Sequence, residues 1–278
     1  MPVRQLKPVT PAQRGMTTQD FDSITTKKPV KSLLVKKKQN AGRNNQGRIT
    51  TRRRGGGVKR HYRLINWNLP DGFKATVEHI EYDPNRSARI ARLKEANGKY
   101  HYMVAAKGLV QGATVEASDE APIEAGNRLP LKNIPTGTII YNIEMVPGKG
   151  AQMVRGAGAG AQLSSKDGDY AQIKLPSGEV RLVNLEAKAH IGSVGNEQHQ
   201  NIKLGKAGRN RHKSRRPSVR GVAMNAADHP HGGGEARGKG YKAPTSPWGQ
   251  KTLGYKTRKR TKSTNKFIVK SRHAAKRK

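Results

Sequence analysis

The chain has 278 residues, with 55 Lys+Arg against 19 Asp+Glu and a formal net charge of +36 at pH 7. That excess repels itself in a compact free chain, so a polyanionic partner is implied. The absence of Cys excludes a disulfide scaffold, a Cys-ligated zinc ribbon and thiol catalysis. With 33% hydrophobic residues, no apolar run approaches the roughly 18 residues of a spanning helix.

The charge lies in the flanks. Residues 1–60 hold 16 basic and 2 acidic side chains, residues 61–205 hold 17 and 15, and residues 206–278 hold 22 and 2. The flanks also carry too few apolar residues to offset their own ordering entropy. A near-neutral globular body with two basic arms that order on a partner is therefore expected. In the first arm, Leu33-Leu34-Val35 is too short for a secretory apolar region, and Pro2, Pro8, Pro11, Asp20 and Asp22 argue against a transit peptide. The cytoplasm is the expected location, and Asn85-Arg86-Ser87 then has no route to glycosylation.

From about 75 to 195, short β-rich segments recur between turn residues. Tyr100, Tyr102 and Val104 alternate with His101 and Met103, and Tyr141, Ile143 and Met145 with Asn142 and Glu144. Ala171, Ile173 and Leu175 alternate with Gln172 and Lys174 before Pro176-Ser177-Gly178 turns the chain into Glu179–Val183. Such period-two patterns suit small antiparallel barrels better than βαβ units. Turn chemistry at Ala121–Asn127 and Asn133–Gly137 separates two strand-rich stretches. The expected organisation is a basic N-terminal extension over 1–60, barrels over 61–125 and 126–200, and a basic C-terminal extension over 201–278. Short helices fit near 196–200 and 206–213, and the tail ending in Lys276-Arg277-Lys278 is expected to be disordered.

Two glycine motifs fail as nucleotide loops. Gly148-Lys149-Gly150 lacks the spacing and the hydroxyl residue of a P-loop. Gly156-Ala157-Gly158-Ala159-Gly160-Ala161 lacks the strand–loop–helix context and the acidic residue of a dinucleotide site. A tight bend or a close approach to another surface is the better reading of the second.

Arg43-Asn44-Asn45-Gln46-Gly47-Arg48 leads through Arg52-Arg53-Arg54 into Gly55-Gly56-Gly57. Guanidinium forks suit phosphates, amides suit sugars and base edges, and glycines let a backbone approach a phosphate. Lys59, Arg60, Tyr62 and Arg63 continue the strip with a stacking platform among cations. The plain alternative is a solvated linker, which the mixture of Arg, amide, Gly and Tyr disfavours.

A second cluster joins Lys206, Arg209, Arg211, His212, Lys213, Arg215, Arg216 and Arg220 to Met224 and Asn225. It runs on into Asp228-His229-Pro230-His231-Gly232-Gly233-Gly234 and Arg237. As a metal site, His-x-His with one carboxylate is incomplete. As a catalytic dyad, Asp228 would orient an imidazole, but no nucleophile elbow or oxyanion motif accompanies it. A glycine-rich loop threaded between phosphates is preferred. Trp248, Lys251, Lys256, Arg258, Lys259 and Arg260 place further aromatic platforms and cations beyond it.

These residues resemble one family closely, large-subunit ribosomal protein two in its bacterial form. The resemblance runs through Gly42–Arg54 with the three glycines, Tyr82–Arg86, Leu129-Pro130-Leu131, Gly137-Thr138, Asn142-Ile143-Glu144 and Leu175–Glu179. It continues through Gly192–Asn196, Gly205–Arg209 and Arg216-Pro217 to Gly221–Asn225 with Asp228–Glu235, its most specific stretch. Departures are His212 where the family usually has Trp, Arg53 and Val58 where it has His, Ala226-Ala227 for Pro-Val, and Ala236 for Gly.

The resemblance implies an OB-fold barrel followed by an SH3-like barrel, with arms threading large-subunit ribosomal RNA, Arg86 among the RNA contacts. It implies roles in subunit association and tRNA binding. Asp228, His229, His231 and Gly232–Gly234 are placed near the peptidyl-transferase region. The partners implied are ribosomal RNA, other ribosomal proteins and, indirectly, the small-subunit interface and tRNA. No cofactor, metal, membrane or small-molecule substrate is expected. The position of His229 has been linked to peptidyl transfer in the family, whose chemistry is left to RNA, so His229 is expected to be supporting architecture and not a catalyst.

Overall fold

Alternation builds the first strand of the body, Phe73–Glu81 (β1), in which Phe73, Ala75 and Val77 are buried while Lys74 and Thr76 face solvent. A bulge between Val77 and His79 shifts the register, so that Ile80 re-enters the core. The computed structural model describes residues 3–234 and 243–274. In it, ten further strands join β1 in one sheet. They are Ile90–Glu95 (β2), Tyr100–Val104 (β3), Thr114–Ala117 (β4), Arg128–Pro130 (β5), Ile139–Tyr141 (β6), Ala161–Asp167 (β7), Tyr170–Lys174 (β8), Val180–Asn184 (β9), Lys188–Ile191 (β10) and Ile268–Lys270 (β11).

The order across the sheet is β11-β9-β8-β7-β6-β10-β5-β4-β1-β2-β3. Its pairings are antiparallel except where β4 meets β5, a single parallel step from Ala117 to Arg128. That step separates two cores. Leu69, Phe73, Val77, Leu93, Met103 and Val115 fill the first; Leu129, Leu131, Ile140, Leu163, Ile173 and Val183 fill the second. Two barrel halves thus share one continuous ladder.

The expected strands at 100–104, 171–175 and 179–183 are present, shifted by a residue at most. The expected alternation over 141–145 is broken. Asn142 takes a left-handed φ of 49°, and Tyr141, Asn142, Ile143 and Glu144 are all buried. Glu144 accounts for it. Its Oε1 lies 2.6 Å from Arg128 Nη2, both side chains being essentially inaccessible. The carboxylate also accepts the amides of Gly150 (2.9 Å), Lys188 (3.1 Å) and Gly148 (3.3 Å). Arg128 in turn donates to the Leu69 carbonyl and, at 2.9 Å, to Asn68 Oδ1. This pair pins the two halves together, and the loop rejected as a P-loop binds the protein's own carboxylate.

Chain contacts define two units. The first comprises Met1–Lys38, Lys59–Lys206 and Lys266–Lys278, and contains both barrel halves. The second comprises Gln39–Val58 and Ala207–Asn265, which bring 20 Lys+Arg and two Asp+Glu, a net +18. Its sole buried side chain among the described residues is His229, 8% exposed. The expected short helices are a six-residue α-helix, Ala207–His212, and a 3-10 turn, Glu197–Asn201. The C-terminal tail, expected without structure, supplies β11 along the edge of β9, with Phe267 packed on Tyr170; Lys276-Arg277-Lys278 lie outside the described residues. Among the described residues no helix is long and apolar enough to cross a membrane.

Candidate nucleic-acid interface

Asn44 shapes the first loop of the second unit. Its Oδ1 accepts the amides of Gln46 (3.0 Å) and Arg48 (2.9 Å), and Arg43 bridges to Ile49. This turn leaves Arg43, Asn45 and Arg48 exposed, followed by Arg52, Arg53 and Arg54. The last of these runs alongside the other arm. Arg54 pairs antiparallel with Arg215, the Arg216 amide donates to the Arg53 carbonyl at 3.0 Å, and the Val58 amide to that of His212 at 3.1 Å.

Two arginine runs are therefore held side by side. None of Arg52, Arg53, Arg54, Arg215 or Arg216 forms an ion pair with a carboxylate among the described residues. Like charges directly opposed on paired strands destabilise the pairing, so this arrangement calls for an anion. Crowding is also felt by Lys213, whose pKa is lowered by desolvation and then by Arg209 and Arg215. Arg209, Arg211 and His212 occupy the last turn of their helix.

Two of the three glycines are set by packing within the unit. A Cβ at Gly57 would collide with Ser214, and one at Gly55 would lie 3.0 Å from Ala41 Cβ; only Gly56 opens onto free space. The bare-backbone role read from the sequence is left to Gly56.

The histidine segment forms a closed loop. The Asn225 carbonyl accepts the amides of Asp228 (3.0 Å) and His229 (3.3 Å), and the Gly233 amide returns to the Met224 carbonyl at 3.0 Å. The His229 ring lies against Gly221, where a Cβ would stand 2.5 Å from Nδ1 and Cε1; a Cβ at Gly232 would strike the Asn225 carbonyl. The His231 amide donates to His229 Nδ1 at 3.0 Å, so a neutral His229 carries its proton on Nε2. His231 Nε2 accepts from the Thr245 amide at 3.2 Å, and the two rings stand 5.0 Å apart. Asp228 is exposed and bonds neither imidazole among the described residues. The Asp–His dyad weighed from the sequence is not assembled. Nor do three His, Asp or Glu side chains gather as a metal-ligand set among the described residues.

Beyond the loop, Trp248 is 76% exposed with the Arg52 guanidinium 5.8 Å from its ring. Thr245 bridges to Lys251, and Asn265 and Thr264 fix Arg258 at 2.6 and 3.0 Å. Arg220, Lys251, Lys256, Lys259 and Arg260 are exposed. Arg237 lies outside the described residues.

The remaining residues singled out from the sequence belong to the first unit. Lys59 and Lys206 are exposed. Arg60 donates to the Pro84 carbonyl at 3.0 Å and Arg63 to that of His61 at 2.9 Å. Arg86 is engaged within the body, paired with Asp83 at 2.6 Å and stacked over Tyr62 and Trp67. Sequence reasoning passed over Arg155, which stands 4.6 Å over the Trp67 ring and is exposed. Its signal was faint, a lone cation before a glycine run.

Two comparisons bear on this geometry. Residues 30–117 match the family described as Ribosomal Proteins L2, RNA binding N-terminal domain, and residues 124–249 match Ribosomal Proteins L2, C-terminal domain. The gap between the matches falls between β4 and β5, where the two cores part, and the halves are an OB-fold barrel followed by an SH3-like barrel. The chain belongs to the ribosomal protein L2 family, with a structural, RNA-binding role in the ribosome and with ribosomal RNA and ribosomal proteins as its partners.

Proposed function

We propose that the second unit is the part of this chain that ribosomal RNA completes, and that the protein acts as scaffold rather than catalyst. The observation that carries this is the unit's composition, a net +18 with one imidazole as the sole buried side chain among the described residues. Such a segment lacks the apolar burial that offsets ordering entropy, and phosphates supply the missing free energy through counterion release. RNA and protein then fold together.

On this reading the bacterial-type protein works in cytoplasmic ribosomes, as an OB-fold RNA-binding domain over 61–125 and an SH3-like domain over 126–200 between extensions 1–60 and 201–278. It supports subunit association, tRNA binding and the peptidyl-transferase region. The loop from Asp228 to Gly234 lies near that region, with His229 as its internal plug. Asp228 does not orient the imidazole and Nδ1 is occupied by an amide, which favours architecture over proton transfer.

The test is sedimentation of tagged protein from a lysate, with and without ribonuclease, followed by crosslink mapping. Co-sedimentation with the large subunit, with crosslinks from 43–54 and 209–260 to its RNA, is expected. A protein found in light fractions regardless of ribonuclease would overturn the proposal.

A further inference from the structure

A cavity of about 490 Å³ opens in the first unit, lined by none of the residues assigned to RNA above. Three parts of the chain wall it. Thr25 comes from the N-terminal extension, Ile80 and Ala105–Gln111 from the first barrel, and Gly195 and Glu197 from the segment after the second. The walls are bonded to one another. The Thr25 amide donates to the Ile80 carbonyl at 3.1 Å, and the Ile80 amide returns to Thr25 Oγ1 at 3.0 Å. The Lys107 amide donates to the Ser193 carbonyl at 2.8 Å and the Gly195 amide to the Ala105 carbonyl at 3.0 Å. Backbone hydrogen bonds thus set the cavity, and little ordering is left for a ligand to drive.

One cation in this lining has no counter-charge. Arg89 is 3% exposed, and its Nη2 donates to the Asp20 carbonyl at 2.9 Å. The rings of Phe21 and Tyr82 stand 5.1 and 5.6 Å from the guanidinium carbon. Among the described residues no carboxylate lies within ion-pair distance of it, and its buried Nε has no hydrogen-bond partner. Burial pulls the guanidinium below the usual arginine pKa, with Tyr82 and Asp20 opposing only at longer range. A buried cation in this state is costly, and an anion beside it offsets that cost. Lys107, the other cation of the lining, is already paired with Glu197 at 3.0 Å.

The rest of the lining selects the anion. Ile80, Ala105, Ala106, Leu109 and Val110 make the walls mainly apolar, whereas Asp22 and Glu197 add two exposed carboxylates. Those carboxylates repel a polyphosphate strand but tolerate a single charge that Arg89 neutralises. We propose that the cavity binds a small apolar monocarboxylate, its head on Arg89 and its hydrocarbon body against Ile80, Leu109 and Val110. A guanidinium takes a carboxylate as a matched fork. A free organic acid and the C-terminal residue of a peptide both carry this chemistry. The site does not depend on the RNA-binding reading.

The test titrates octanoate into the full chain in high salt, which screens the exposed arms, and follows amide and arginine Nε resonances. Shifts at Ile80, Arg89 Nε and Ala105–Gln111 with roughly millimolar affinity are expected, and octanamide should bind at least about tenfold more weakly. Val110 is 64% exposed, so its charge can be changed without unfolding the barrel. Val110→Glu is expected to weaken octanoate about three- to tenfold, and Val110→Lys to preserve or strengthen it. Arg89→Gln should abolish saturable binding; if that variant melts early, the Val110 pair decides. Acetyl-alanyl-leucine with a free C-terminus, compared with its amide, separates the sources: tighter binding than octanoate assigns a peptide terminus, weaker binding a free acid. Equal shifts for octanoate and octanamide, or octanoate binding that Val110→Glu leaves unchanged, would overturn the site. Shifts confined to the basic arms would mark octanoate as a counterion and overturn it too. None of these outcomes bears on the RNA-binding reading, which sedimentation decides.

Discussion

Glu144 and Arg128 show how one buried pair can hold two half-barrels. Each makes several hydrogen bonds to the other half or to its own loop, so removing either partner leaves a charge sealed from water. Glu144→Leu is expected to cost about 3–5 kcal/mol of stability in urea titration of the RNA-free chain. His190, on β10 beside Tyr141, gives a second residue-scale prediction. Its ring is 1% exposed and neither nitrogen has a hydrogen-bond partner among the described residues. Burial, and then the charge of Arg128, depresses its pKa to about 3 from 6.5. An unfolded chain takes up that proton below pH 6.5 and the folded one does not, so stability falls as pH drops from 6.5 towards 3. The slope reaches about 1.4 kcal/mol per pH unit, and His190→Phe should remove this contribution. Little of this was legible beforehand. Glu144 read as the polar face of an alternating strand, because its partner and three amides converge only in the folded sheet.

At the scale of elements, period-two patterning located β3, β8 and β9, since each has one face on a core. Where both faces are covered, as at Tyr102 and Met103, alternation described the residues without identifying which were buried. The motif of the histidine loop was visible, but its wiring was not. The sequence offered Asp228 as partner to an imidazole, whereas the fold supplies the His231 amide. Closure of that loop depends on small residues. Gly233, at φ 83° with a Cβ position 3.3 Å from Ala226, should tolerate Val poorly. Gly233→Val is expected to impair subunit assembly in gradient profiles more than Lys256→Ala, which removes one of many exposed cations. β11 invites a different check. Truncation after Asn265 uncovers the edge of β9, and increased light scattering of the free protein is the expected outcome.

For the whole molecule, charge distribution was the most informative sequence feature, setting a near-neutral middle stretch apart from two basic flanks. It gave no sign that part of each flank joins the other, because a +14 and a +20 segment have no electrostatic reason to associate. Without its partner the second unit has hydrogen bonds and turns but, among the described residues, no apolar core. Its amides over 39–58 and 207–234 should exchange rapidly in the free chain and become protected on RNA binding, while β1–β3 remain protected throughout. The pairing of Arg54 with Arg215 also has a consequence in time. During synthesis the first arginine run emerges about 160 residues before its companion, a delay of roughly 8–30 s at ordinary elongation rates. The barrels between them can finish folding in that interval. Each nascent copy therefore passes through a stage with a folded body and an unmatched polycation beside the RNA of the ribosome making it, and completion of the interface must await the chain's own C-terminal quarter.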